Sequence, residues 1–152
     1  PAVSLACAIR GALPWRDMIP YWIAQLIGGA LAGLLVAYLV VVQPADTQTQ
    51  FNVTALVICE ILFTFALCYV VLHTATSRDN EGNSFYGLAI GATVTAGAFA
   101  TAGTCFGAFN PAVALGLMTM GTALCKTVCI TALANLVGGA LAGGIYKITS
   151  ND

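Results

Sequence analysis

The sequence predicts an all-α membrane protein built as an inverted repeat, with two short re-entrant half-helices that enter the bilayer without crossing it. Composition is the first reason. Of 152 residues, 59% are hydrophobic and only 7% are charged, whereas a soluble domain carries roughly a quarter charged residues. Too little charge remains to cover a water-facing surface, so a bilayer is the natural solvent. Repetition is the second. Pro1-Ala2-Val3-Ser4-Leu5 matches Pro111-Ala112-Val113-Ala114-Leu115 at an offset of 110, and the same offset aligns residues 24–33 (AQLIGGALAG) with 134–143 (ANLVGGALAG). Eight of those ten positions are identical, and Gly11 with Gly121 and Arg16 with Lys126 fall in the same register, which a single chance motif match does not explain. The third reason is parity. Three apolar spans separate the two Pro-Ala-Val copies, so the copies enter the membrane from opposite faces, a pattern that places a solute site near the midplane.

The elements follow in order. Residues 1–8 form an apolar run far below the roughly 20 residues a spanning helix needs, and Pro1 suits a first helical position. Residues 9–17 read as a loop carrying Arg10, Pro14 and Arg16. Residues 19–42 are the first full span, in which Gly29 and Gly33 have the four-residue spacing that lets membrane helices approach closely. Residues 43–50 are a polar loop, and Asn52-Val53-Thr54 is formally a glycosylation sequon, disfavoured because it abuts the membrane. Residues 53–73 make a second span containing Glu60, followed by the most polar stretch of the chain, 73–84, with His73 at its interface. Residues 85–102 make a third span with Gly87 and Gly91 again four apart; 103–109 are too glycine-rich for a good helix; 111–120 are the second half-helix; and 124–148 are the last span. Arg10, Arg16, Arg78 and Lys147 fall on one side and Lys126 on the other, which puts the first four in the cytoplasm by the positive-inside rule. Residues 1–152 thus read as a single transmembrane domain, with 1–33 in repeat register with 111–143. Pro1 lies inside a motif whose other copy is preceded by Phe109-Asn110, so a further N-terminal part is expected upstream.

Several functions are excluded early. Net charge is −1 with no basic cluster, leaving no electrostatic footprint for nucleic acid. The six cysteines lack CxxC spacing, so neither a zinc site nor a disulfide framework is expected, and no cofactor motif is present. Cys125 and Cys129, one helical turn apart, read as small packing residues. The membrane region holds no nucleophile–base set, so no catalysis is expected.

The chemistry sits at Asn110-Pro111. Asn is a favoured N-cap and Pro a favoured first residue, so Asn110 belongs at the tip of the second half-helix. Its side-chain oxygen would be held by the helix's own free N–H groups, leaving the NH2 outward as a fixed donor. Water or a hydroxyl accepts from it; a cation gains nothing and meets the positive ends of two half-helix dipoles, each about half a charge. Irregular backbone at this depth is tolerated only where it lines a wet cavity, so the carbonyls of 103–108 would form a ladder of acceptors along it.

The Asn110-Pro111-Ala112 box, the Pro1-Ala2 part of a first box and the inverted repeat resemble the aquaporin family of major intrinsic proteins. Residues 21–26 (YWIAQL), Glu60 with Thr64, and residues 88–91 (LAIG) strengthen the likeness, which runs from the first half-helix to the end of the sixth family helix. The resemblance implies a passive channel for water and small neutral solutes such as glycerol, a homotetramer with one pore per protomer, and a missing part comprising two helices and the first box's Asn. It implies that Glu60, with Thr64, supports the second box loop from behind; a carboxylate inside a span costs roughly 2.5–3.5 kcal/mol and needs buried partners. It also assigns selectivity-filter positions, which depart from the family's pattern. The position after the box, usually Arg, is Val113; the fifth-helix position falls on Ala98; the loop position falls on Gly107. The filter is therefore expected to be wide and weakly polar. Cys105, five residues before Asn110, is either a vestibule thiol open to mercurials or, more simply, a packing residue. The rival readings are a closed or structural protein of the same fold, with Phe109, Val113 and Leu115 forming a dry constriction, and an ion-coupled transporter, which would need a charged partner for Glu60.

Overall fold

The computed structural model describes residues 1–42 and 52–150. Among the described residues six α-helices carry the fold: α1 (Ala2–Arg10), α2 (Trp15–Leu39), α3 (Val53–Val71), α4 (Tyr86–Ala100), α5 (Pro111–Thr119) and α6 (Cys125–Thr149). A π-helical turn (Leu72–Thr76) extends α3, and there are no strands among the described residues. Trp15–Leu39, Val53–Thr76 and Cys125–Thr149 are long and apolar enough to cross a membrane. The chain is an integral, multi-pass membrane protein. The expected loop at 43–50 lies outside the described residues.

The helix ends explain where expectation and structure differ. The first half-helix runs two residues further than expected, to Arg10, because Gly11 takes the left-handed conformation (φ 98°) that turns the chain back. Ala12 then donates its N–H to the Cys7 carbonyl at 2.9 Å, and Pro14 caps α2, so the expected nine-residue loop shrinks to Gly11–Pro14. Asn52 is the N-cap of α3, its side-chain oxygen accepting from Thr54 and Ala55 N–H. The third span is shorter than expected: α4 has 15 residues, roughly 22 Å of helix against a hydrocarbon core of about 30 Å. The chain leaves it at a turn in which Thr104 and Cys105 N–H bond the Thr101 carbonyl. Cys125 and Cys129 are exposed on the outer face of α6 rather than packed, because the inward face of that stretch is taken by Val128 and, beyond Cys129, Thr131.

The repeat is visible in the packing. α2 and α6 begin and end at positions separated by the same 110 residues that align their sequences. Gly121 is left-handed like Gly11, and the Thr122 N–H to Leu117 carbonyl bond reproduces that of Ala12 to Cys7. Each repeat's long helix cradles the other repeat's half-helix. A Cβ on Gly139 would stand 2.6 Å from the Ala2 carbonyl oxygen, and one on Gly143 would stand 2.8 Å from that of Ala6. In the other pair, Cβ atoms on Gly29 and Gly33 would collide with the Ala112 and Gly116 carbonyl oxygens. These four glycines are notches for backbone, the geometry small residues permit between membrane helices.

Polar groups at one end tie the bundle together. Arg10 donates to the Thr76 carbonyl at 2.7 Å and lies with its guanidinium 5.0 Å from the centre of the Tyr146 ring. His73 fits between the Tyr69 and Tyr146 rings, at 4.5 and 4.7 Å. Asn80 and Asn83 donate to the His73 and Thr74 carbonyls, satisfying acceptors that a helix end leaves open. Arg10 and Tyr146 place the α1 and α6 C-termini together, so Arg10, Arg78 and Lys147 share this end; Lys126, at the start of α6, lies a helix length away.

Gly139→Ala should cost about 1–3 kcal/mol or more, since a backbone carbonyl cannot yield as a side chain can. Gly144→Ala meets nothing within 4 Å and should be neutral or slightly stabilising. Thermal unfolding of the two purified variants in one detergent checks the contrast.

Candidate functional site

The second half-helix starts as a capped helix should. Asn110 is extended (φ −160°, ψ 128°), Pro111 is the first helical residue, and the Asn110 Oδ1 accepts from the Ala112 N–H at 3.2 Å. With its oxygen so engaged, the amide NH2 is the end left for a solute. Asn110 borders two hollows. One is an open, mainly apolar groove of about 500 Å³ between α2 and α5, lined by Gln25, Gly28, Gly29, Val113 and Gly116 among others. The second, about 340 Å³, also touches Pro1, Val3, Ser4, Cys7 and Gln25. The Pro1 end of the first half-helix and Asn110 therefore share one cavity, although they are 109 positions apart in sequence.

The loop before Asn110 is unusual backbone held by one side chain. Gly107 (φ 62°) and Phe109 (φ 48°) are both left-handed; for an aromatic residue that conformation costs about 1–3 kcal/mol. Glu60, fully buried on α3, fixes it: Oε1 accepts from the Ala108 N–H at 3.1 Å and Oε2 from the Phe109 N–H at 2.9 Å. The Asn135 amide on α6 donates to the same Oε2 at 2.7 Å and to the Thr64 hydroxyl at 2.9 Å. These donors are all neutral, and no carboxylate–cation pair involving Glu60 occurs among the described residues. The Phe109 ring is itself buried, against Gly97 and against Phe63 at 5.6 Å between centroids.

Thr64 therefore acts one step back, through Asn135, rather than on the loop. Asn135 was missed in the sequence reading. The signal for it was present: it is a polar residue in an apolar span, aligned by the repeat with Gln25. Of the three filter positions, two come together, since a Cβ on Gly107 would stand 3.6 Å from the Ala98 Cα. The third, Val113, sits in the groove along α2, 48% exposed. Cys105 is only 6% exposed, with its sulfur accepting from the Gly107 N–H at 3.3 Å, so it braces the loop and is not an open vestibule thiol. Leu115, half-buried on α5, borders neither hollow.

A family model for the major intrinsic proteins matches residues 1–146. The chain belongs to that family. Among its relatives are a probable aquaporin, TIP-type RB7-5A, of Nicotiana tabacum (33% identical over 150 residues) and aquaporins TIP2-3 of Zea mays (32% over 149) and Arabidopsis thaliana (34% over 150). Each alignment covers 96% of this chain and 60% of the relative, so the chain spans about three-fifths of the length of these proteins. Within this major intrinsic protein, the two boxes, the glycine notches and the Glu60 anchor all fall inside the matched region.

Glu60→Gln should be damaging despite its shape, because the new NH2 would face a backbone N–H. The expected cost is about 1–3 kcal/mol, read as a lower melting temperature. Asn135→Asp should be worse than Asn135→Ala, since it sets a second carboxylate against Glu60. Reversal of that order in a thermal-shift assay would contradict the assignment of Glu60 as an acceptor of all three bonds.

Proposed function

We propose that this chain supplies most of the wall of a passive channel for water and small neutral solutes such as glycerol, working in the lipid bilayer as a homotetramer with one pore per protomer. The observation that carries this is the Asn110 amide, oriented by its own helix's Ala112 N–H and bordering the cavity it shares with Pro1. A donor fixed in this way favours an oxygen lone pair, and the N-termini of α1 and α5 add positive potential of about half a charge each. Cations are thereby disfavoured without any charged side chain in the path. Water as permeant is supported by the relatives' designation as aquaporins. The reaction is permeation, not catalysis.

The extension to glycerol rests on Ala98, Gly107 and Val113. None carries charge or bulk, and Val113 replaces a guanidinium with an apolar side chain, so the filter is read as wide. Glu60 is not read as a coupling group: it is 0% exposed and its two oxygens already accept three bonds. A closed constriction is not favoured either, because Phe109 is turned into the core at 1% exposure.

Stopped-flow light scattering on proteoliposomes of the full-length protein tests the reading, with impermeant-osmolyte and glycerol gradients run side by side. Fast shrinkage followed by fast re-swelling in glycerol is expected. Val113→Arg should abolish the re-swelling, leave water flux within about a factor of ten, and lower any residual cation leak. Lipid-like rates for both solutes in the unmodified protein would rule out the open channel.

A further inference from the structure

We propose that Trp22 and Gln25 are positioning residues that lock the first half-helix in register with Asn110, so that α2, which touches both half-helices, fixes the spacing between the two boxes along its length. The inference rests on the pore reading above. Trp22 Nε1 donates to the Pro1 carbonyl at 3.1 Å, and Gln25 Nε2 donates to the Ser4 hydroxyl at 2.8 Å. The donors are three residues apart on α2 and the acceptors three apart on α1, so each pair lies on one helical face. Together they are two rungs between the helices.

The same helix grips the other half-helix one to two turns further on. The Gly29 and Gly33 notches take the α5 backbone, and the Thr119 hydroxyl donates to the Ala30 carbonyl at 3.1 Å. Within residues 22–33, α2 thus touches both half-helices. From Trp22, level with Pro1, to Gly29, level with Ala112, the helix rises about 10 Å. That rigid interval is the spacing of the two boxes along α2.

The repeat register shows why the rungs are needed. Trp22 aligns with Ala132, so α6 has no indole to offer in return. The second box has the Glu60 anchor on its loop and Asn110 as a bonded cap. Glycine notches resist separation of two helices but are weak against sliding, because dispersion contacts are non-directional and close over short shifts. Hydrogen bonds to the Pro1 carbonyl and the Ser4 hydroxyl are directional. An indole N–H and a primary amide in an apolar span also need acceptors of their own, which ties their placement to α1 being in register.

The test uses the full-length protein in proteoliposomes, comparing Trp22→Phe, Gln25→Met, Ser4→Ala and the Ser4→Ala/Gln25→Met double variant. Readouts are water permeability per protomer, the glycerol-to-water ratio, cation leak and melting temperature. One neutral hydrogen bond is worth about a factor of five in a two-state equilibrium, so Trp22→Phe should lower water permeability about two- to fivefold and shift the ratio. Ser4→Ala and Gln25→Met should have similar effects, and the double variant should be no worse than the worse single one, because both remove the same bond. A lowered melting temperature with unchanged permeability and ratio would mean a structural brace only and would overturn the proposal, as would additive losses in the double variant. If the unmodified protein conducts and the variants match it, the inference alone falls. If the unmodified protein does not conduct, the pore reading falls and takes the inference with it.

Discussion

A single buried carboxylate accepting two consecutive backbone N–H groups is the constraint on which the second half of the molecule depends. The loop from α4 to α5 must stop a helix inside the membrane region, turn twice through left-handed backbone at Gly107 and Phe109, and deliver Asn110 extended at the tip of a new helix. The Ala108 and Phe109 N–H groups face the buried interior, where no lipid or apolar side chain can satisfy them. Glu60 supplies two acceptor oxygens where the loop has two donors, at 3.1 and 2.9 Å. Asn135 then takes the remaining capacity of Oε2 and links α6 to the same point. Removing the carboxylate would unsatisfy three donors at once, on α6 and on the loop, which makes the site cooperative rather than a sum of separate contacts.

The glycine notches solve a complementary problem. Half-helices of nine residues are too short to be stable alone, and their apolar faces gain nothing from leaving one apolar medium for another. What holds them is close packing, which requires that the facing helix have no side chain at the crossing. The exchange of half-helices between repeats, α1 against α6 and α5 against α2, means that neither repeat can fold its own box without the other. Gly138 extends the same principle to a third helix: a Cβ there would stand 2.5 Å from the Ile61 carbonyl oxygen on α3.

Much of this was legible in the sequence because the repeat is a strong constraint. Matching at one offset predicted both half-helices and put Gly11 with Gly121, and the two glycine-rich faces, in one register; that the first pair is left-handed and that the faces receive the half-helices are seen only in the structure. Asn110 as a cap and Glu60 as a loop support could be read because each residue type does one thing well in an apolar span. The misreadings share a cause: they turn on which way a side chain faces. Cys125 and Cys129 looked like packing residues, since composition cannot tell the outer face of α6 from the inner one, and both are exposed. Cys105 reads in the sequence as either an open thiol or, more simply, a packing residue, and the turn at Thr101, which folds its sulfur under the Gly107 N–H, selects packing. Thr64 is legible beside Glu60 but Asn135, which links the two, is not, because a relay through a third residue leaves no spacing pattern.

The site contains a charge, yet the charge is hidden. Glu60 is fully buried behind the loop, while the side chains bordering the Asn110 hollows are almost all neutral: Gln25, Ser4, Cys7, Val113 and a run of glycines and alanines. A charged side chain beside a narrow path would concentrate its counter-ion there. In the proposed pore, the carboxylate instead acts through geometry: it fixes the backbone that fixes Asn110, and the discrimination among solutes is left to fixed donors and helix ends. Those elements discriminate by position rather than by strength, so a displacement of either half-helix by a fraction of a turn would matter more than the loss of any one polar group. This is why the contacts that set the register of α1 and α5 on α2 belong to the function and not only to the fold.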